Sequence, residues 1–193
     1  MQYLLTPHTL AIESFVWWEG AFTEQELNWL QDKAKHAQQN ALVGSSNGGV
    51  VDSSIRRSQV SWLNNSEETK WVFEKLAGVV SKINAQYYRF DLTGFGESIQ
   101  LTAYDQSENG MYGWHQDYCA GISRKLSMVV QLTDPAEYEG GNLQVMTSEE
   151  PQNIRKQRGL IAIFPSYVLH QVTPVTQGNR QSLVAWVSGP AFR

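Results

Sequence analysis

His115-Gln116-Asp117 places an imidazole and a carboxylate two residues apart. In an extended segment, positions i and i+2 face the same way, so both groups can approach one ion. A third candidate ligand is His170, which closes the run Phe164-Pro165-Ser166-Tyr167-Val168-Leu169 at the mouth of an apolar strand. The chain has only 4 histidines. Two of them with one carboxylate make the protein half of an octahedral site with three open positions, the arrangement suited to Fe(II) and oxygen chemistry. Taken singly, the triplet is a chance surface pairing and His170 a hydrogen-bonded core histidine; taken together, they point to a catalytic metal centre.

Arg180 follows His170 by ten residues, in Arg180-Gln181-Ser182-Leu183-Val184-Ala185-Trp186. If 182–187 is a strand, Arg180 and Ser182 share a face, and a guanidinium and a hydroxyl can hold one carboxylate. A buried arginine is costly unless an anion meets it. The competing reading is a surface arginine at a turn after Gly178-Asn179; the apolar strand beginning just beyond it favours the anion site.

Two helices and a β-rich second half must position these groups. Thr23 and Glu26 form a capping box with Phe22 at the staple position, predicting a helix from about Glu24 to Gln39. Asn65 and Glu68 repeat the start signal, and Val72, Leu76, Val79 and Ile83 then share one helical face, predicting a second helix from about Ser66 to Tyr87. Beyond Arg89 the pattern becomes short β-branched and aromatic runs bounded by turn residues. Strands are expected near Arg89–Leu92, Ser98–Tyr104, Lys125–Leu132, Leu143–Met146, Leu160–Phe164, Leu169–Val172 and Ser182–Ser188. The fold class is therefore α+β, mainly β: a sandwich or jelly roll behind supporting N-terminal helices. Residues 1–193 are expected to form one domain, helical over 1–88 with a β core over 89–193. The stretch Gly44–Ser54 is a long polar loop, a candidate substrate lid.

Composition narrows the classes. The 193 residues are 41% hydrophobic, enough for one well-buried core. Lys and Arg total 15 against 19 Asp and Glu, so no broad cationic surface is available for nucleic acid or anionic lipid. The single cysteine, Cys119, excludes an internal disulfide framework and a Cys-rich zinc cluster, which fits a reducing cytoplasm. No segment approaches the ~20 apolar residues of a membrane-spanning helix, and the N-terminal stretch lacks a basic leader region. A cytoplasmic protein with neither nucleic-acid nor membrane partners is expected. His8 and His36 fall outside the β region and read as surface residues.

His115-x-Asp117, His170 and Arg180-x-Ser182, with the flanks Arg124-Lys125-Leu126-Ser127, Gly140-Gly141-Asn142-Leu143 and Phe164-Pro165-Ser166, resemble the Fe(II)/2-oxoglutarate dioxygenase superfamily. The resemblance is greatest to its prolyl 4-hydroxylase-like branch, including PKHD-type hydroxylases. It implies a double-stranded β-helix, a form of jelly roll, with iron held by His115, Asp117 and His170. It further implies that Arg180 pairs with the distal carboxylate of 2-oxoglutarate, assisted by Ser182, with Tyr104 and Tyr112 near this cosubstrate. Many members of the branch use lysine there; arginine points toward the oxygen-sensing type. The activity implied consumes O2 and 2-oxoglutarate and hydroxylates a C–H bond, giving succinate and CO2, with ascorbate a candidate reductant. A prolyl residue in a peptide or protein is the leading substrate; a free amino acid or small metabolite is the alternative. Two other readings are a cupin-like metal enzyme without 2-oxoglutarate and a noncatalytic binding domain. Candidate substrate contacts are Arg56, Arg57, Trp62 and Trp114, with Trp186 and Leu126 as apolar cavity walls; Cys119, two residues past Asp117, reads as a small hydrophobe, with a place near the metal as the side reading.

Overall fold

The computed structural model describes residues 12–37, 39–44, 49–118 and 123–191. In chain order the elements are β1 (Val16–Trp18), α1 (Glu24–Lys35), β2 (Gln39–Asn40), β3 (Arg56–Arg57), β4 (Gln59–Leu63) and α2 (Lys70–Ile83), which runs into a π-helical turn at Asn84–Tyr88. There follow β5 (Gly94–Phe95), β6 (Ile99–Asp105), β7 (Met111–His115), β8 (Arg124–Gln131), β9 (Tyr138–Gly140), β10 (Leu143–Met146) and β11 (Pro151–Asn153). The chain ends with β12 (Ile161–Pro165), β13 (His170–Val172) and the long β14 (Val175–Ser188). One sheet has the order β1-β12-β8-β14-β6-β4-β2, with β5 and β9 also on β14; the other has the order β11-β10-β13-β7-β3. The two sheets make the jelly-roll sandwich expected from the sequence.

The central strands of the large sheet divide their side chains between two cores by the period-2 alternation of extended chain. Leu126, Met128 and Val130 of β8, Leu183, Ala185 and Val187 of β14, and Ile99 and Leu101 of β6 pack beneath the helices. Val129, Tyr104, Ala162 and Phe164 face the other way, toward Leu143, Val145 and Val172 of the small sheet. Helix α2 buries Val72, Phe73, Leu76, Val79, Val80 and Ile83, one stripe at helical spacing, and α1 buries Leu27, Leu30 and Ala34. The Thr23/Glu26 capping box is formed at the start of α1. Gly78 lies on the exposed side of α2, where a missing side chain leaves no gap in the core.

Several expected boundaries move, for physical reasons. Helix α1 stops at Lys35, short of Gln39. Helix α2 starts at Lys70 rather than Ser66, because 66–69 close a separate turn: Thr69 Oγ1 donates to Asn64 O at 2.5 Å and accepts from Ser66 N at 3.0 Å. Arg89–Leu92 is not a strand. Arg89 takes a left-handed φ of 53°, and the Asn84 amide bonds both backbone groups of Phe90, each at 2.9 Å, which ends the helix and turns the chain. The segment 1–88 is not purely helical: β1 pairs with β12, β3 with β7 and β4 with β6, so it contributes strands to both sheets. Of the candidate lid Gly44–Ser54, residues 45–48 lie outside the described residues, and Val50 forms an antiparallel bridge with Val43. Among the described residues no helix is long and apolar enough to cross a membrane. His36 is exposed, as expected, whereas His8 and Cys119 lie outside the described residues.

Candidate active site

Antiparallel pairing of β7 with β13 sets His115 directly opposite His170, with ring centroids 4.1 Å apart. Each imidazole is oriented by a backbone carbonyl two residues before it: Nδ1 lies 2.8 Å from Gly113 O in His115 and 2.9 Å from Val168 O in His170. A protonated Nδ1 leaves the lone pair on Nε2, the form that binds metals. Both Nε2 atoms face Asp117, at 3.9 Å from Oδ1 for His115 and 3.5 Å from Oδ2 for His170.

The i, i+2 argument needs one correction, since β7 ends at His115 and Asp117 lies beyond it. A clamp, not strand alternation, holds the carboxylate in place. The Asp117 and Tyr118 N–H groups both donate to Ser166 O, at 3.0 and 2.9 Å. Ser127 Oγ donates to Asp117 Oδ2 at 2.6 Å, and Ser166 Oγ lies 2.9 Å from Ser127 Oγ. The indole N–H of Trp186 is buried without a hydrogen-bond partner and faces the same carboxylate.

The donor set fits a divalent ion. Its ligand atoms all lie within 4.8 Å of one another, and adjacent ligands on an octahedral ion with ~2.1 Å bonds sit about 3 Å apart. Burial, and secondly the neighbouring His170, push the His115 imidazolium down to about 3, so this ring is a neutral ligand at neutral pH. For Asp117, burial favours the acid, but the two histidines and the Ser127 hydroxyl outweigh it and hold the carboxyl below its ordinary value.

At the other end of the cavity lies Arg180, 1% exposed. It sits inside β14, not at a turn. Its Nη2 donates to Gln131 Oε1 at 3.0 Å and Nη1 to Ser182 Oγ at 3.4 Å, while Nε has no partner. No carboxylate among the described residues pairs with it, so a buried charge is left without an opposite charge. That is a site for an anion, and a carboxylate matches the guanidinium fork. Gly141 makes room for it: φ is 57°, and a Cβ there would meet Arg180 Cδ at 2.9 Å.

A cavity of about 80 Å³ joins the two ends, and its lining includes Tyr104, Tyr112, His115, Asp117, His170, Arg180, Ser182 and Trp186. Arg56 and Gln100 also line it, Arg56 from β3 of the small sheet and Gln100 from β6 of the large sheet. Arg57 is not part of the lining; it bonds the carbonyls of Ser53, Glu108 and Asn109. Trp62 and Trp114 are also outside it, 43% and 36% exposed, although Trp62 lies 6.5 Å from the Trp186 ring. Leu126 is no cavity wall. It alternates with Ser127 along β8 and so points to the helix-side core. Ser127, Gln131 and Gly141 are supporting residues given no role from sequence, although Ser127 and Gly141 stand in the flanks that carry the resemblance. For the first two, the available signal was polar residues at alternate positions of an otherwise apolar strand.

A two-histidine, one-aspartate set on a jelly roll could hold a metal ion, and the buried guanidinium across the cavity could receive an anion. Residues 99–188 match the family model described as the 2OG-Fe(II) oxygenase superfamily. A PKHD-type hydroxylase from Prochlorococcus marinus is 41% identical over 83 residues, covering 42% of this chain and 38% of that protein. The matches span roughly two-fifths of such curated relatives, 38% and 39% for the first two. Among solved structures, a Pseudomonas putida prolyl-4-hydroxylase superposes with a TM-score of 0.71 at 18% identity, covering 92% of this chain and 94% of the other. A Trichoplax adhaerens prolyl hydroxylase, solved with a hypoxia inducible factor peptide fragment, gives 0.76 at 16% identity, covering 91% and 84%. These structural likenesses show the shared fold. The sequence likeness to the 2OG-Fe(II) oxygenase superfamily covers residues 99–188, and the likeness to PKHD-type hydroxylases covers about two-fifths of the chain.

Proposed function

We propose that the protein is an Fe(II)- and 2-oxoglutarate-dependent dioxygenase that hydroxylates a C–H bond, with a prolyl residue of a peptide or protein as the leading substrate. The observation that carries this reading is the pairing of His115, Asp117 and His170 with Arg180 across one cavity. An anion site has no role in a cupin-like enzyme that does not use 2-oxoglutarate, which disfavours that alternative. The prolyl assignment draws on the hydroxylase names of the relatives and of the structural neighbours.

When bound, iron supplies the oxidative chemistry, coupling O2 and the decarboxylation of 2-oxoglutarate to succinate and CO2 with hydroxylation of the substrate. The chain's own residues position the reactants. His115, Asp117 and His170 hold the metal on one side, leaving three positions open. Ser127, itself held by Ser166, keeps one oxygen of Asp117 fixed by donating to it. Arg180 and Ser182 receive the distal carboxylate of 2-oxoglutarate, and Gln131 fixes the guanidinium plane. Tyr104, whose ring centroid lies 5.4 Å from the Arg180 guanidinium, and Tyr112, stacked on His115 at 3.5 Å, form the aromatic walls that exclude water. Ascorbate serves as reductant in this reading, and the cytoplasm is the compartment.

Succinate formation from 2-oxoglutarate, measured with added Fe(II) and a broad peptide mixture, tests the proposal. Wild type should produce succinate together with a product heavier by one oxygen, and Asp117→Ala should fall to the no-metal background. Absence of Fe(II)-dependent succinate from the wild type would overturn it.

A further inference from the structure

We propose that Arg56 sets substrate specificity by pairing with a carboxylate on the molecule to be hydroxylated, an inference that rests on the oxygenase reading above. Arg56 lies on β3, the edge strand of the small sheet, in register with Tyr112. It is 8% exposed, lines the cavity, and has its guanidinium 4.5 Å from the Tyr112 ring centroid. Tyr112 in turn stacks on His115, which puts the charge one aromatic ring from the metal ligands. Its hydrogen bond is to a neutral group, from Nε to Ser58 Oγ at 2.9 Å, and no acidic side chain among the described residues pairs with it.

Neighbouring arginines are treated differently. Arg124 is held by both oxygens of Glu97, at 2.7 and 2.6 Å, and Arg158 pairs with Glu24 at 2.6 Å. Arg57, adjacent in sequence, is satisfied by backbone carbonyls. Among the described residues Arg180 is the one other buried arginine without an acidic partner, and it lies on β14 of the opposite sheet. The cavity lining thus holds two guanidiniums and one carboxylate, Asp117. A dipositive metal and the two carboxylates of 2-oxoglutarate cancel, and Asp117 offsets Arg180. The charge of Arg56 is left over. A buried cation of this kind is stabilised by an anion, and the component still to enter is the substrate. Its carboxylate can be that of a free or terminal amino acid, or an acidic side chain beside the target residue.

Binding to the Fe(II)- and 2-oxoglutarate-loaded protein, kept anaerobic and measured by titration calorimetry, separates these cases. One probe pair is N-acetyl-L-proline and its amide; the other is an acetylated, amidated Gly-Pro-Asp tripeptide and its Asn counterpart. In at least one pair the acid should bind about tenfold more tightly, the effect of a charge-assisted hydrogen bond, and the preferring pair names the source. Arg56→Met should bring that ratio to near one, and Arg56→Lys should keep its direction at smaller size. Equal binding within both wild-type pairs, no binding of any probe, or a ratio unchanged in Arg56→Met would overturn the inference. So would a loss of 2-oxoglutarate affinity in Arg56→Met, which would assign the residue to the cosubstrate. Failure of 2-oxoglutarate to bind the Fe(II)-loaded wild type would instead sink the oxygenase reading itself.

Discussion

The two faces of the large sheet are built from the same strands and have opposite character. Toward the helices, β8 presents Leu126, Met128 and Val130 and β14 presents Leu183, Ala185 and Val187, all in one apolar core. Toward the cavity, the alternate residues are Ser127, Val129 and Gln131 on β8 and Arg180, Ser182, Val184 and Trp186 on β14. The first face gains free energy by burial. The second spends some of it, holding a charge and several polar groups away from water so that they meet ligands instead. Stability and chemistry are therefore separated by residue parity, and adjacent residues should fail in different assays.

The largest effect expected on the cavity face is that of Arg180→Met. Losing the charge-assisted contacts to a carboxylate, at roughly 1.5–3 kcal/mol each, should weaken 2-oxoglutarate binding by a factor on the order of 10²–10³. The melting temperature without ligand should hold or rise, because an unbalanced buried charge gives way to an apolar chain. A large fall in melting temperature would contradict the division. On the other face, Leu183→Ala should lower unfolding free energy by about 2–5 kcal/mol in denaturant titrations, the range for a buried leucine. Turnover per folded molecule should be preserved. Third in size is Ser127→Ala, which removes the 2.6 Å bond to Asp117. Metal affinity should drop roughly 10–100-fold, as for other groups that orient a ligand, and a matching loss in Met128→Ala, one residue along, would show that parity is not what matters.

The sequence made the reacting groups legible where their types were rare and closely spaced: four histidines in all, an H-x-D triplet, and an arginine before an apolar strand. The capping box of α1 was legible because it is complete within four residues. What escaped was nonlocal. The clamp of Asp117 comes from Ser166 and Ser127, and the partner of Arg180 is Gln131, 49 residues away. Strands such as β3 and β5 are two residues long and exist because a partner strand is already there. Leu126 was misplaced by one position of register, enough to turn a side chain from one core to the other. Arg89–Leu92 has the composition of a strand, but the Asn84 side chain captures its backbone first.

The smallest effect should come from Tyr88→Phe, and it probes whether the two faces are independent. Tyr88 closes the π-helical turn after α2, is buried on the helix side, and donates from Oη to Ile163 O at 3.1 Å. Burial raises the phenol well above its ordinary value, so the hydroxyl remains a donor through mildly alkaline pH. Ile163 belongs to β12, which pairs with β8 opposite Met128, one residue from Ser127. Removing the hydroxyl while keeping the ring should cost about 1 kcal/mol of stability, the net value of one hydrogen bond. Metal affinity should be unchanged, since the aspartate clamp on the other side of β8 is made by Ser127 and Ser166 and not by the backbone of Ile163. A metal-affinity loss comparable to that of Ser127→Ala would mean that β12 transmits a shift across the sheet, and the helices would then be part of the device that positions Asp117.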